Sequence, residues 1–394
     1  MHTPRRTSGR TRLAAGVASA AFAVAGLAGC GSDDSSSPSA SGSESGSGCS
    51  SMTPVTLQLQ WQTQAQFAGY IEAGAKGYYE KQCLNVTIVP AGSDTVPQLT
   101  VADGGSADFA IAWVPKALQS REKGAGITDV GQVFQRSGTL QISFKDQGIT
   151  SVKDLKGKNV GDWGYGNEYE LFAGMTKAGL DPSKDVNIVQ QAFDMDGFLK
   201  GDIDAAQAMI YNEYALVLES KNPKTGKLYQ PSDLNVINWN DEGTAMLQDA
   251  IWANSKKLED PDFQDTTVKF LTASYQGWIE CASNPQQCAD DVVSAGDGLA
   301  PVHQLWMMNE INKLVWPSPQ GIGMVDKKMW DQTVDIARNT KNKDGDTVLT
   351  KAPAAGAYTN DYTEKALANL EKMGLDVKGT DFKPISVTLT EGGK

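Results

Sequence analysis

Residues 55–89, VTLQLQWQTQAQFAGYIEAGAKGYYEKQCLNVTIV, decide the fold class of this chain. Residues 55–61 alternate apolar and polar side chains, which predicts a strand with one buried face. From residue 66 to residue 81 the apolar side chains recur at helical spacing, and residues 84–89 then repeat the strand pattern. A strand, a helix and a second strand in this order predict a βαβ unit with parallel strands.

The same alternation continues along the chain and divides into two sets. The first set continues through 96–102, the strand 107–112, the helix 115–122 and the strand 130–134. The second contains the segments 141–144, 159–161, 186–189, 205–208 and 236–239 and a helix at 168–178. After Asp249 the pattern becomes mainly helical, at 262–279, 289–295, 303–314 and 327–339. We therefore predict an α/β protein with two lobes built on mainly parallel sheets.

The two sets also predict the domain boundaries. Residues 53–138 and 245–394 are expected to form lobe 1, which includes the helical C-terminal extension. Residues 139–244 are expected to form lobe 2. The two crossings between the lobes, at 135–140 and 239–244, are then the expected hinge.

Residues 1–29 have the composition of an export signal. Four arginines without an acidic residue precede the apolar run 13–28, which is too short to span a bilayer. The run ends at Leu27-Ala28-Gly29-Cys30, which resembles a bacterial lipobox, in which the cysteine receives a diacylglycerol. The alternative is an ordinary signal peptide with an incidental cysteine. Residues 30–52 are rich in Gly and Ser and are expected to be a flexible linker. We expect a lipid-anchored protein outside the cytoplasm, at the bacterial cell surface.

The charge and the histidine content exclude several classes of function. The chain has 47 acidic and 35 basic residues and a formal net charge of −12. Such a charge repels nucleic acid and anionic lipid surfaces, so neither is expected as a partner. His303 is the one histidine beyond the export signal. A Ser/His/Asp triad would have to be built on it, and zinc would have to be bound by unpaired cysteines and carboxylates. We therefore predict no metal site.

Four cysteines, Cys49, Cys83, Cys281 and Cys288, follow Cys30. An even number in an oxidising compartment favours two disulfides over a metal site or free thiols. Cys281 and Cys288 flank a short turn-forming loop between two helical patterns, so we predict that they pair with each other. Cys49 is then left to pair with Cys83.

Several short motifs carry a family resemblance. They are Leu59-Gln60-Trp61, Ala68-Gly69-Tyr70, Lys76-Gly77-Tyr78-Tyr79, Ser106-Ala107-Asp108-Phe109, Asp154-Leu155-Lys156-Gly157-Lys158 and Gly201-Asp202-Ile203-Asp204-Ala205. In order and spacing, over residues 55–271, the chain resembles the family that groups sulfonate-, thiamine-pyrimidine- and riboflavin-binding proteins with the fungal thiamine-pyrimidine synthase. The resemblance implies a type II periplasmic-binding-protein fold. It also implies a ligand held between the lobes and passed to the permease and ATPase subunits of an ABC importer. We expect a monomer.

Because part of this family is catalytic, an enzyme is the alternative function. The resemblance places the PLP-binding lysine of the synthases at Ala112 and their histidine at Lys116. Their cysteine-rich iron-binding run falls at 243–248, where this chain has no thiol. A Schiff base needs an amine, and iron needs thiolate or imidazole ligands. We therefore predict no enzyme activity and no cofactor.

The candidate ligand-binding residues lie where predicted strands meet loops, because sites in this fold form there. In lobe 1 they are Trp61, Gln62, Gln66, Phe67, Tyr70 and Trp113. In lobe 2 they are Trp163, Tyr165, Asn167, Glu168, Asp194, Tyr211, Asn212 and Glu213. Aromatic faces stack on planar rings, while amides and carboxylates bind ring N–H and amino groups. This set favours a nitrogen heterocycle, such as a thiamine-pyrimidine precursor or a riboflavin-like ring.

An alkanesulfonate is the alternative ligand. Arginines suit such anions, and three remain beyond the export signal, of which Arg136 lies near the first crossing. Arg136 is therefore a candidate anion clamp, with a hinge salt bridge as its alternative role. Residues 164–167 are expected to turn tightly and to present open amides at a helix N-terminus, which would also hold an oxyanion.

Overall fold

The computed structural model describes residues 49–92 and 94–393. The predicted export signal, Cys30 and the linker up to residue 48 lie outside the described residues. The described chain belongs to one compact unit. None of its helices combines the length and the apolar composition that a membrane crossing requires.

Ten strands and twelve α-helices occur in the described residues. The strands are β1 (Thr53–Gln58), β2 (Leu84–Val89), β3 (Phe109–Trp113), β4 (Ile127–Gln132), β5 (Thr139–Phe144), β6 (Asn159–Asp162), β7 (Asn187–Gln190), β8 (Ala205–Met209), β9 (Leu234–Asn238) and β10 (Asp249–Asn254). The helices are α1 (Ala68–Ala75), α2 (Tyr78–Lys81), α3 (Val114–Glu122), α4 (Tyr169–Lys177), α5 (Asp196–Lys200), α6 (Glu213–Leu218), α7 (Trp239–Glu242), α8 (Pro261–Ser283), α9 (Pro285–Ala295), α10 (Pro301–Val315), α11 (Lys327–Asn339) and α12 (Asp361–Lys372).

The first sheet has the strand order β2-β1-β3-β10-β4. β1 is parallel to β2 and to β3, as the sequence pattern predicts. The expectation of a helical chain after Asp249 is wrong for its first residues, because these form β10, which is antiparallel to β3 and β4. All of β10 is buried. A fully buried strand lacks the alternation of apolar and polar side chains by which a half-buried strand is recognised.

The second sheet has the strand order β7-β6-β8-β5-β9. β6 is parallel to β7 and β8, whereas β5 is antiparallel to β8 and β9. Both sheets are therefore mixed, but in each of them only one strand, β10 or β5, runs against the others. The connection between the two sheets explains this arrangement, because β5 and β10 are the first strands after the two crossings. Each enters its sheet at the end where the neighbouring strand leaves it, and it is therefore antiparallel to that neighbour.

The helix predicted at 66–81 is interrupted. A short 3₁₀ helix, Ala65–Phe67, leads into α1, and α2 follows after a turn. Gly77 has a left-handed conformation with φ of 66° in this turn, and it precedes the first residue of α2. Glycine adopts this conformation without a steric penalty, so it redirects the chain and ends the helical periodicity.

Two glycines let α1 lie directly on α8. A Cβ atom at Gly69 would lie 2.2 Å from the ring of Trp278, and a Cβ atom at Gly277 would lie 2.0 Å from the Gly69 carbonyl oxygen. This contact holds α8 against the segment that follows β1. We call the first sheet with the helices packed on it the first lobe, and the second sheet with its helices the second lobe.

The two crossing segments are cross-linked by buried polar side chains. Glu170, on α4, accepts hydrogen bonds from the Met246 amide (2.5 Å) and from the Ser137 hydroxyl (2.9 Å). Gln248 accepts from the Gly138 amide (2.8 Å), and its Nε2 donates to the Ser137 hydroxyl (3.0 Å). The Glu170 carboxylate and the Gln248 side-chain amide thus join the first crossing segment to the second.

Both disulfides expected from the sequence are present. Cys49 is bonded to Cys83, with 5.6 Å between the Cα atoms. Cys281, in α8, is bonded to Cys288, in α9, with 5.4 Å between the Cα atoms. The first bond joins the chain before β1 to the residue before β2, and the second fixes the turn between two helices.

Removing the first disulfide is expected to cost more stability than removing the second. The bonds close loops with sequence separations of 34 and 7 residues, and chain entropy then predicts losses of about 3–4 and about 2 kcal/mol. The measurement is urea unfolding, followed by circular dichroism, of C49S/C83S and C281S/C288S. An equal or reversed order would contradict the entropic explanation.

Glu170 is expected to make folding stability depend on pH. Burial raises the pKa of Glu170 to about 7. The folded state therefore binds a proton that the unfolded state has lost, so stability falls as the pH rises from about 4.5 to about 7. Glu170→Gln should reduce this fall by about 1–3 kcal/mol. Urea unfolding at pH 5 and pH 8 measures it, and Glu371→Gln, exposed on α12, is the control that should leave the fall unchanged.

Candidate functional site

A buried carboxylate lies where β1, β3 and β10 meet. Asp249, the first residue of β10, accepts hydrogen bonds from Gln60 Nε2 (2.5 Å) and Trp113 Nε1 (2.9 Å) on Oδ1. Its Oδ2 accepts from Gln66 Nε2 (2.9 Å). All three partners are neutral, and burial raises the pKa of Asp249 to about 7. The carboxylate is thus held in place by donors that do not neutralise it.

Aromatic side chains from both lobes meet at Trp61, the residue that follows Gln60 in the chain. The Trp61 and Phe193 rings are 5.1 Å apart between centroids, and Phe193 lies 6.1 Å from Trp163. Trp61 follows β1 in the first lobe, while Trp163 and Phe193 follow β6 and β7 in the second. Trp163 is buried, and no described residue accepts a hydrogen bond from its Nε1. These three rings form a contact between the lobes, and the buried Trp163 Nε1 is an unused N–H donor. We call this contact region between the lobes the cleft.

Lys116 crosses from the first lobe to the second. Its Nζ donates to Asn167 Oδ1 (2.9 Å) and lies 4.9 Å from the centroid of the Trp113 ring. Burial lowers the pKa of Lys116 to about 8, although the charges of Glu168 and Asp249 oppose this effect. The ammonium group therefore forms a polar contact between the lobes, in the same region as the aromatic rings.

Two amides of the loop after β6, those of Gly164 and Gly166, are not open as the sequence analysis expects. The Gly164 amide donates to Asp162 Oδ1 (2.8 Å), and the Gly166 amide donates to Glu168 Oε2 (2.8 Å). Gly164, Tyr165 and Gly166 all have positive φ angles, so the chain turns tightly here. The carboxylates that occupy these amides also make the loop acidic, which disfavours an anion at this position.

Six of the candidate residues from the sequence lie in this cluster. They are Trp61, Gln66, Trp113, Trp163, Asn167 and Glu168. Gln62 is exposed in the loop after Trp61, and Tyr165 is 82% exposed at the tip of the loop after β6. Asp194 is exposed, and its carboxylate accepts from the Asp196 amide at the start of α5.

Other candidates lie deeper or pair within the protein. Phe67 and Tyr70 are buried in the core of the first lobe. Tyr211 is buried with its ring edge toward Phe134, at 6.4 Å. Glu213 accepts from the Met209 amide (2.9 Å) and from Asn212 Nδ2 (2.9 Å).

Asn212 and Arg136 also have partners in the protein. The two ring nitrogens of His303 form hydrogen bonds, Nε2 with Asn212 Oδ1 (3.0 Å) and Nδ1 with Glu219 Oε2 (2.9 Å). Arg136 donates to three backbone carbonyls, those of Leu314, Trp316 and Pro317. Its guanidinium thus anchors the end of α10, a third role beside the anion clamp and the hinge salt bridge considered from the sequence.

The sequence analysis does not select four residues of the cluster, namely Gln60, Lys116, Phe193 and Asp249. Gln60 stands in the Leu59-Gln60-Trp61 motif, and Phe193 precedes Asp194, so their positions are available from the sequence. Asp249 could be recognised from its position directly before an apolar run. Lys116 has none, because a lysine in the first turn of a helix is ordinarily solvated.

One group of described residues brings metal-ligating atom types together. Glu72, Cys281 and Cys288 have ligand atoms within 4.8 Å of one another. Both sulfurs belong to a disulfide, however, and a metal needs thiolates. The group is therefore unsuited to a metal while the bond is intact.

A surface cavity of about 300 Å³ lies elsewhere, between α11 and residues 352–358. Half of its lining residues are Ala or Pro, and the lining also includes Trp330, Tyr358 and, as the charged group, Asp331. Asp331 is exposed and paired with Lys327. This cavity lacks the convergent buried polar groups of the cleft, so the cleft is the better candidate site.

Known relatives match over most of the chain. The family described as NMT1/THI5 like matches residues 64–288, which is more than half of the chain. A Haemophilus influenzae protein named for thiamine biosynthesis is 29% identical over 58% of this chain and 68% of its own length. The riboflavin-binding protein RibY of Chloroflexus aurantiacus is 23% identical over 69% of this chain and 77% of its own. A Schizosaccharomyces pombe 4-amino-5-hydroxymethyl-2-methylpyrimidine phosphate synthase is 30% identical over 28% of this chain and 32% of its own.

Solved structures share the fold. The periplasmic sulfonate-binding protein SsuA of Methylobacillus flagellatus has a TM-score of 0.58 at 16% identity, covering 86% of this chain and 99% of that one. A Candida albicans protein with the generic periplasmic binding protein fold has a TM-score of 0.52 at 15% identity, covering 86% and 98%. The fold and family expected from the sequence are confirmed. The chain belongs to the NMT1/THI5-like family and has the periplasmic-binding-protein fold.

Proposed function

We propose that this protein is the extracytoplasmic solute receptor of an ABC importer and binds a small nitrogen heterocycle between its lobes. The fold, with two lobes joined by two crossings, supports a receptor that closes around its ligand. Among the similar proteins, RibY is named for binding riboflavin, a heterocycle, and SsuA is named for binding sulfonates. The choice between these ligand classes depends on the chemistry of the cleft.

The observation that carries the proposal is the Asp249 carboxylate, held by neutral donors. One of these donors, Gln60, directly precedes Trp61, whose ring contacts Phe193. A carboxylate fixed in this way is a strong acceptor for a ring N–H or amino group. The neighbouring rings stack on a flat ligand. Together they provide one face and one edge for a nitrogen heterocycle, such as a thiamine-pyrimidine precursor or a riboflavin-like ring.

The charges of the cleft disfavour the alternative, an alkanesulfonate. Asp249, Glu168 and Asp162 are acidic, whereas Lys116 is the basic residue among them. The amides of the loop after β6 are occupied by carboxylates, and Arg136 is occupied by backbone carbonyls. A sulfonate would enter a site with excess negative charge and few free donors.

The synthase alternative is also disfavoured by this chain's own residues. Ala112 offers no amine at the position that the family resemblance assigns to the PLP-binding lysine. The segment 243–248, which lacks thiols, is a crossing between the lobes, with the Met246 amide bound to Glu170 and the Leu247 amide bound to Thr333. It serves as a connection, so we propose a receptor without enzyme activity or cofactor.

The remaining parts of the proposal concern anchoring and partners. The protein is attached to the cell membrane through a lipid on Cys30, works as a monomer and delivers its ligand to the permease and ATPase subunits of the importer. The Gly- and Ser-rich segment before Cys49 gives the receptor reach from the membrane.

The test is ligand binding to the chain from residue 31 onward, which contains the whole compact unit. Native mass spectrometry detects co-purified compounds. Tryptophan fluorescence and calorimetry then follow titration with thiamine, 4-amino-5-hydroxymethyl-2-methylpyrimidine, riboflavin and taurine. We expect a heterocycle to bind and to quench tryptophan fluorescence, because Trp61 and Trp163 border the cleft. Tight binding of taurine without any heterocycle would refute the proposed ligand class.

Asp249→Asn should weaken binding of that heterocycle at least tenfold, because the amide replaces an acceptor by a donor. Asp129→Asn is the matched control. Asp129 is a fully buried carboxyl group on β4 whose pKa burial also raises to about 7, but its partner is the Gly131 amide and it lies outside the cleft cluster. Equal affinities of the Asp249→Asn variant and the wild type would remove Asp249 from the site.

A further inference from the structure

His303 lies buried where the first turn of α10 meets the second lobe. α10 belongs to the first lobe, because its apolar side chains lie in the core of that lobe and Gln304 accepts a hydrogen bond from the Ala65 amide (2.8 Å). The two partners of His303, Asn212 and Glu219, stand at the two ends of α6 in the second lobe. The imidazole is therefore a side-chain contact between the lobes.

This contact lies far from the crossings, on the cleft side of the second sheet. Asn212 follows the carboxyl end of β8, which is parallel to β6. At its other end α10 reaches the first crossing, where the Leu314 carbonyl accepts from the Gln135 amide (3.0 Å). His303 and Leu314 are about 16 Å apart along the helix axis. A rotation about the crossings consequently displaces His303 from the second lobe much more than it displaces Leu314.

Both ring nitrogens of His303 face hydrogen-bond acceptors. Asn212 Nδ2 donates to Glu213 Oε1 (2.9 Å), so the amide oxygen of Asn212 is the atom that faces His303 Nε2 (3.0 Å). The reverse orientation of this amide would turn its oxygen toward the Glu213 carboxylate. On the other side of the ring, Nδ1 lies 2.9 Å from Glu219 Oε2. An amide oxygen and a carboxylate oxygen both accept, so each ring nitrogen has to carry a proton.

The second lobe supplies the negative charge that a buried imidazolium needs. Glu219 is buried and pairs with the ring directly, and its Oε1 has no hydrogen-bond donor among the described residues. Glu213 is buried one hydrogen bond farther away, through Asn212. On α10 itself, the first acidic or basic side chain after His303 is Glu310.

The C-terminal segment covers this contact without adding a charge to it. The Gly392 amide donates to the Glu219 carbonyl (3.3 Å). The neighbouring carboxylate of Glu391 pairs with Lys221 instead, and both side chains are exposed. Two carboxylates, those of Glu213 and Glu219, are thus the titratable groups that the described elements direct toward the ring.

We infer that His303, as an imidazolium, is a positioning residue that holds the lobes closed, and that loss of one ring proton to solvent releases this contact. A neutral ring would direct a nitrogen lone pair at a buried acceptor, which costs the hydrogen bond and leaves both groups unpaired. Closure and protonation therefore favour each other, so closure weakens as the pH rises. This inference rests on the proposed function, in which the lobes close around a ligand, and adds pH as a regulator of that closure.

The protonation state of this one ring can be observed directly. In the chain from residue 31 onward, His303 is the one histidine, so protein labelled with ¹⁵N-histidine and purified without a histidine tag gives a single imidazole in NMR spectra. The shifts of Nδ1 and Nε2 distinguish an imidazolium from either neutral tautomer. Glu219→Gln removes the charge and keeps the shape of its side chain. Asp129→Asn, at a buried carboxyl group on β4, is the matched control.

A pair of spin labels measures the separation of the lobes in the same ligand-free protein. The labels are attached at Leu99→Cys, in the segment after β2, and at Lys200→Cys, at the end of α5, because both residues are exposed. The native cysteines of this chain are in disulfides, so the two new thiols are the ones that react. Double electron–electron resonance gives the distance distribution, and urea unfolding verifies that each variant is folded.

We expect two protonated ring nitrogens at pH 6 in the wild type and in Asp129→Asn. Between pH 6 and pH 8.5 one of these protons should be lost while the label distances shift to longer values. Glu219→Gln should lose the proton at a lower pH and show less than half of this distance shift. A ring with one protonated nitrogen at pH 6, or an equal pH response of Glu219→Gln and the wild type, would overturn the role of His303. Neither result involves a ligand, so the titrations that test the proposed function stand or fail separately.

Discussion

The architecture of the cleft depends on one buried charge. Asp249 begins β10, and its two oxygens bind the side chains of Gln60, Gln66 and Trp113. These three belong to separate segments: the chain after β1, the 3₁₀ helix before α1 and the end of β3. Burying a carboxylate without a cation is costly, so the arrangement needs all three hydrogen bonds. The same requirement fixes the loop that carries Trp61 and the start of α3, which carries Lys116.

Two different kinds of contact join the lobes. At the crossings, Glu170 and Gln248 bind both connecting segments through hydrogen bonds to main-chain and hydroxyl groups. At the cleft, Trp61 meets Phe193 through ring faces, and Lys116 meets Asn167 through one charged hydrogen bond. The crossings are saturated with internal partners, whereas the cleft contacts leave ring faces and N–H groups exposed. Motion that opens the cleft can thus leave the crossings intact.

The sequence predicts the parts of this protein that follow a local pattern. The βαβ unit at β1 and β2, the helix α11 and the Cys281–Cys288 bond follow from spacing, because each depends on residues close together in the chain. The Cys49–Cys83 bond follows by elimination. β10 does not, because burial on both faces removes its alternation, and its partners β3 and β4 are more than a hundred residues away in the chain. For the same reason the hydrogen bonds that Asp249 accepts from Gln60 and Trp113 do not follow from the sequence pattern. Those residues become neighbours only when the sheet is assembled.

The disulfide between Cys49 and Cys83 determines which part of the fold bears a tension applied to the chain before Cys49. It ties the chain at the amino ends of β1 and β2, while the candidate site lies beyond their carboxyl ends, about 20 Å away for a strand of this length. A pull on the chain before Cys49 is therefore carried by the disulfide and by the six-residue ladder between β1 and β2. It does not load the crossings or the second lobe. Tension on the chain before Cys49 therefore leaves the second lobe free to move relative to the first.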